Sequence, residues 1–128
     1  MTQQVPDGPT LVVNMFRMRP GVPPSRFAEF SARVDQPLCL AHTDVVRRFD
    51  AYRVGGAAGA ALDADIVEVM EVSDWNTWVR VRDNDPSLRP VMSGFDDLVA
   101  PSSVRSSFVV PILPVLPNLA NPPIQRGQ

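Results

Sequence analysis

Two periods of hydrophobicity run through this chain, and the switches between them mark its elements. From Leu11 to Arg19 the residues are β-branched and apolar, with Asn14 as the one uncharged polar interruption, and the run stops at Pro20-Gly21; this predicts a strand closed by a turn. Pro23 and Pro24 suit a helix's first turn. Phe27, Phe30, Val34 and Leu38 then recur at intervals of three and four, one face of a helix that Pro37 is expected to kink or end. A second strand spans Val45 to Val54, bounded by His42-Thr43-Asp44 and Gly55-Gly56, and the small residues from Ala57 to Ala61 form a loop. Ile66 to Val72 alternates as a third strand. Ser73 or Asp74 caps a short helix bearing Trp75 and Trp78. After Asn84-Asp85-Pro86, a second stretch puts Leu88, Val91, Met92, Phe95, Leu98 and Val99 on one helical face, with Pro90 in its first turn. Pro101 ends it, and Val104 to Val110 reads as a fourth strand.

The predicted order is therefore β-α-β-β-α-β, an α+β protein with the ferredoxin-like arrangement, its antiparallel sheet covered by helices on one face. Residues 1–9 form a flexible lead-in, 10–112 the domain and 113–128 a proline-rich tail. Strands one and four are apolar at both parities, so the open sheet face needs a cover; an identical copy packing face to face supplies it, and a homodimer is expected. The stretch Pro111–Gln128, which contains the tail, carries Ile112, Leu113, Val115, Leu116, Leu119 and Ile124. Two readings of it stand, an extended path across the partner subunit or plain disorder after about Asn118.

The third strand also holds the first hint of chemistry. Its alternation places Glu68 on one face and Glu71 on the other, whereas a half-buried strand keeps acids toward water, so one of the two is expected to be buried or to line a cavity. Charge and composition then narrow the function classes. At 128 residues the chain has room for one domain, its twelve basic residues are all arginine, and fourteen acids leave a formal charge of −2. Near-balance argues against nucleic acid as a partner, and the lack of lysine removes Schiff-base catalysis. One cysteine, Cys39, and one histidine, His42, make a poor inventory for a metal site, and Gly55-Gly56 lacks the residues of a phosphate loop. No apolar run reaches the roughly 18–20 residues of a membrane span, and no signal-peptide pattern opens the chain, so a cytoplasmic protein without metal or cofactor is the default expectation.

His42 is the one side chain whose ordinary pKa lies near neutrality, which suits a catalytic base; the plainer reading is an exposed loop histidine. Asp35 precedes Pro37 and His42 follows it, close enough in sequence for the carboxylate to orient the imidazole, with a surface acid as the alternative. Asn14, flanked by apolar residues, must satisfy its amide with a partner, water or ligand. Its parity group, Val12, Asn14, Phe16 and Met18, is assigned to a cavity between sheet and helices, shared with Glu68. Glu68 there serves as acid or base with a pKa raised by desolvation, or it pairs with an arginine of strand two such as Arg48. Tyr52 and Trp75 can stack on a flat ligand, and Trp78 competes with Trp75 for that role; the plainer reading of an aromatic at such spacing is a core side chain. Arg47, Arg48 and Arg53 read as the rim of strand two or as carboxylate binders, and Cys39 as a packed small hydrophobe.

The strand Val12-Val13-Asn14-Met15-Phe16-Arg17-Met18-Arg19-Pro20-Gly21-Val22, the helix end Val34-Asp35-Gln36-Pro37, the strand Phe49-Asp50-Ala51-Tyr52-Arg53-Val54 and the strand Ile66-Val67-Glu68-Val69-Met70-Glu71-Val72 together resemble the RedY/HapK-like proteins of the dimeric α/β-barrel superfamily. The resemblance spans roughly Leu11 to Ile112 and leaves the tail and the Ala-Gly loop unmatched. It implies a small cofactor-free homodimer of bacterial natural-product pathways, notably those for prodiginines and bisindoles. Its expected reaction is coupling, cyclisation or rearrangement of an unstable indole- or pyrrole-derived intermediate, with His42 and Asp35 managing protons and Asn14, Phe16, Arg48, Tyr52, Glu68 and Trp75 around the substrate. The superfamily also contains cofactor-independent quinone-forming monooxygenases and haem-degrading enzymes, in which a polar residue on the first strand and a tryptophan on the second helix surround the ligand; Asn14 and Trp75 or Trp78 are similar. His42 does not match a haem ligand in the second helix. A monooxygenase and a non-catalytic carrier of a hydrophobic metabolite are the alternatives.

Overall fold

A computed structural model describes residues 4–117. Its strands are β1 (Thr10–Phe16), β2 (Val46–Arg53), β3 (Ile66–Val72) and β4 (Arg105–Val109), and its helices are α1 (Pro24–Phe30), α2 (Gln36–Leu40), α3 (Trp75–Asn84) and α4 (Arg89–Leu98). The strands form one sheet in the order β2-β3-β1-β4 with every pairing antiparallel, as the expected ferredoxin-like order requires. Among the described residues, no helix is long and apolar enough to cross a membrane.

The third strand has the predicted bounds, and the others are trimmed for reasons visible in the backbone. β1 stops at Phe16 because the next two amides leave the ladder: Arg17 N–H donates to the Ser103 hydroxyl at 2.8 Å and Met18 N–H to the Asp65 carboxylate at 2.9 Å. Only an isolated bridge from Met18 to Val99 continues its line. Asp74 caps α3 by accepting from Thr77 N–H, and Pro90 sits in the first turn of α4. Pro37 neither ends nor breaks its helix. The chain instead widens into a π-helical turn over Ser31–Asp35, with Gln36 N–H closing back to Ser31 O, before α2 resumes with Pro37 in its first turn. Proline lacks an N–H and crowds the carbonyl four residues back, and the wider turn absorbs both faults without interrupting the rod.

Register then explains where the core sits. Reading across the sheet on the helix-covered face, Phe49, Met70, Val12 and Phe108 form one rank and Arg53, Ile66 and Phe16 another. Between them runs Ala51, Glu68, Asn14 and Ser106. This polar rank divides the interior into two apolar clusters. One gathers Cys39, Val46, Phe49, Met70, Val72, Trp78, Leu88 and Val91; the other gathers Phe16, Met18, Phe27, Ile66, Leu98 and Val99. In the second, α4 packs close on α1 because residue 94 is glycine: a Cβ there would lie 2.2 Å from the Phe30 ring.

The opposite sheet face bears Leu11, Val13 and Met15 of β1 with Val67 and Val69 of β3, all only half buried. Beyond β4, residues 110–117 have no regular structure, and Val110, Ile112, Leu113, Val115 and Leu116 are exposed. The rest of the predicted tail, including Leu119 and Ile124, lies outside the described residues.

Candidate active site

Over the polar rank, between the sheet and helices α2, α3 and α4, lies a cavity of about 260 Å³. Val12, Phe49, Met70, Trp75, Trp78, Val91, Met92 and Phe95 give it apolar and aromatic walls, and Asn14, Glu68 and Ser106 form its polar floor with Asp35 and Cys39 beside them. Arg82 and Met92 also line the neighbouring surface recess of Asp83, Asn84, Asp85, Arg89, Ser93 and Asp96, so the cavity's mouth lies between α3 and α4. Trp75 is held at the wall edge-on to Phe108, with centroids 5.1 Å apart.

The floor is wired in sequence. Ser106 Oγ donates to Asn14 Oδ1 at 2.6 Å, which fixes the amide orientation, and Asn14 Nδ2 then donates to Glu68 Oε1 across 3.5 Å. The second carboxyl oxygen, Glu68 Oε2, has no hydrogen-bond partner among the described residues although Glu68 is only 4% exposed. Burial pushes the Glu68 carboxyl up to about 8, with the charge of Asp35 adding to the rise and the Asn14 bond opposing it. Asp35 is likewise buried at the end of the π-helical turn; desolvation raises it to about 6, and the Cys39 thiol, donating at 3.5 Å, holds it back from rising further. Burial and the same two carboxylates push the Cys39 thiol far up, which keeps it protonated and unreactive. Both carboxyls are therefore pushed upward, Glu68 further than Asp35, an arrangement typical of like charges forced together in a dry place.

Of the residues expected to form the site, Asn14, Asp35, Glu68 and Trp75 come together here, joined by Trp78. The others lie elsewhere. His42 is in the turn after α2, where Nε2 is 3.1 Å from Ser87 Oγ and 3.8 Å from Asp85, and it does not line the cavity. The expected Asp35–His42 pairing is corrected: the helix runs on through Pro37, so the two side chains face different neighbours, Cys39 and Ser87. Arg48 is exposed and pairs with Asp50, not with Glu68. Tyr52 is 53% exposed, in register with Val67 on the sheet face turned from the helices. Phe16 has the expected parity but sits one rank away, fully buried against Phe27 and Phe95. Sequence reasoning passed over Ser106 and Cys39 as site residues; Ser106 is legible only once β4 is known to pair with β1.

No curated protein sequence matches this chain. Among solved structures, it is similar to HapK from Hahella chejuensis, at a TM-score of 0.61 and 15% identity over 84% of this chain and 97% of that one. SnoaB, a cofactor-independent oxygenase from Streptomyces nogalater, aligns with a TM-score of 0.60, 15% identity and the same coverage. A dimeric ferredoxin-like protein of unknown function from Thermobifida fusca gives 0.57 and 14%, over 84% of this chain and 95% of that one. At these identities the likeness is one of fold. The sequence itself matches the family described as REDY-like protein HapK over residues 10–109, from the first residue of β1 to the last of β4, and the chain belongs to that family.

Proposed function

We propose that this protein is a cofactor-free enzyme of secondary metabolism that couples, cyclises or rearranges an unstable indole- or pyrrole-derived aromatic intermediate. The observation that carries this reading is the cavity: aromatic walls sized for a flat ring system over a floor with a buried, unpartnered carboxyl. Membership of the REDY-like family and a fold shared with a cofactor-independent oxygenase support it. Such a cavity accelerates a reaction chiefly by holding reactive atoms together and excluding water, and its own acid–base groups are the carboxyls of Asp35 and Glu68. The test is incubation of the purified protein with an oxidised tryptophan- or pyrrole-derived intermediate generated in situ, with and without dioxygen, followed by mass spectrometry. Product in both atmospheres is the expected result. Product only with dioxygen would replace this reading by a monooxygenase in which Asn14 and Trp75 flank the substrate, and tight binding without product would make the protein a carrier.

The same reading includes a homodimer formed through the open sheet face. Leu11, Val13, Met15, Val67 and Val69 make an apolar stripe there, and a second copy of the stripe covers it, as the symmetry of a two-fold interface allows. Val13→Arg places a charge in the centre of that contact, opposite Val69. Light scattering at micromolar concentration is expected to give twice the chain mass for the natural protein and the chain mass for the variant; a monomeric natural protein would refute the interface.

A further inference from the structure

Glu68 is set unlike any other carboxyl among the described residues. Its oxygen Oε1 accepts from Asn14, whose own amide is oriented from behind by Ser106. Glu68 lines the cavity, and its Oε2, closed to solvent, has no partner among the described residues; an unsatisfied buried polar atom is a standing cost unless a ligand answers it. The charged and titratable groups facing it are few. Asp35 comes from the π-helical turn, the Cys39 thiol from α2 and Arg82 from α3 at the mouth, engaged with Asp83. α4 contributes Val91, Met92 and Phe95 to the wall, β1 and β4 contribute Asn14 and Ser106, and β2 places Ala51 opposite Glu68. No cation pairs with Glu68 among the described residues, and burial together with the charge of Asp35 disfavours its ionised form; with Oε1 accepting from Asn14, the proton falls to Oε2.

We propose that Glu68 is the acid of this site, and that its free Oε2–H recognises an aromatic ligand through a carbonyl oxygen or an imine nitrogen. A donor placed where such an acceptor gathers negative charge polarises it toward attack at the adjacent carbon. Full transfer would break the Glu68 O–H bond, form an N–H or O–H bond on the ligand and leave a carboxylate, which takes a proton back from solvent or product at the end of the cycle. Asn14 and Ser106 are positioning residues, since they hold the other oxygen still. This inference rests on the cavity being the ligand site, as proposed above, and adds which functional group the ligand must carry.

The probes are 1-indanone and indane, bicyclic molecules of one shape that differ by the carbonyl. Trp75 and Trp78 line the cavity and report occupancy by fluorescence. At pH 6.5 indanone is expected to bind about tenfold more tightly than indane, the size of one good hydrogen bond to an acid. The preference should fade as the pH rises through about 8, because the ionised carboxylate has no proton to offer. Glu68→Leu should bring the two ligands to equal affinity at every pH, whereas Glu68→Gln, which keeps a donor that does not titrate, should hold the preference flat with pH. Equal binding of both probes by the natural protein, or a preference indifferent to pH between 6.5 and 9, overturns the assignment while leaving the cavity as the ligand site. Failure of both probes to bind overturns the cavity reading and the inference with it.

Discussion

Phe16→Ala is expected to destabilise the protein by about 3–5 kcal/mol, the range for deleting a large buried aromatic side chain. Phe16 is fully buried at the end of β1, and its ring stands edge-on to Phe27 of α1 and to Phe95 of α4, each with centroids 5.1 Å away. Those contacts tie the two long helical elements to the sheet in the cluster on the far side of the polar rank from Trp78. Alanine leaves a void that neither helix can fill, because α1 and α4 already touch at Gly94 and Phe30. Since domains of this size are stable by only about 5–15 kcal/mol, the variant should lose a large share of its margin. Urea denaturation checks this, with the midpoint falling and the slope unchanged. A loss below about 1 kcal/mol together with weakened binding of an aromatic probe would instead make Phe16 a wall of the cavity, as the sequence pattern suggests.

That last contrast shows what the pattern of residues can and cannot convey. Parity along β1 correctly turns Phe16 and Asn14 to the same side, because alternation is a local property of a strand. Which of them meets the ligand depends on rank across the sheet, and rank depends on register with β3 and β4, a long-range property. Glu68 was legible as a buried acid for the same local reason, since an alternating strand with a glutamate on each face must hide one of them. Tyr52 and Arg48 were not, because β2 shifts register between Val46 and Arg48. Continuing the parity of Val46 would turn both toward the helices; after the shift Phe49 faces inward and Arg48 and Tyr52 face out. His42 fails differently. Seven positions separate it from Asp35, but the π-helical turn keeps the helix whole through Pro37, so nearness in sequence becomes separation by a helical segment, and Asp35 meets Cys39 instead. The strand order, by contrast, followed from element order alone, because a split βαβ chain with short connections has few ways to close its sheet.

Glu68→Leu is expected to make the protein more stable at pH 9 and to flatten the dependence of its stability on pH. Glu68 in the folded protein titrates near 8, well above an unfolded glutamate near 4.5, and Asp35 near 6 against 3.8. Between these limits the folded chain holds protons that the unfolded chain releases, so folding stability is fully present below about pH 4 and is lost progressively as pH rises through 6 and then 8. The loss due to Glu68 alone is on the order of a few kcal/mol, since it is nearly fully buried and has no cation to offset it. Asp63, Asp74 and Asp85 pull the other way, but their carboxyls are lowered below 3.8, so they weaken the fold only at lower pH; from 5 to 8 the slope belongs to the buried carboxyl pair, and the raised Cys39 thiol adds to the loss toward pH 9. Leucine fills much the same volume, carries no charge and removes the unpartnered oxygen; urea titrations at pH 5, 7 and 9 should show the variant keeping only the smaller decline due to Asp35 and, near pH 9, to Cys39. A natural protein whose stability is level or rising over that range would mean that Glu68 ionises freely, and the buried acid would then have to be abandoned. If the slope is found, the protein sacrifices stability at neutral pH to keep one proton in a dry aromatic cavity, and a group held at such a disadvantage to the fold is one whose use lies in the ligand it meets.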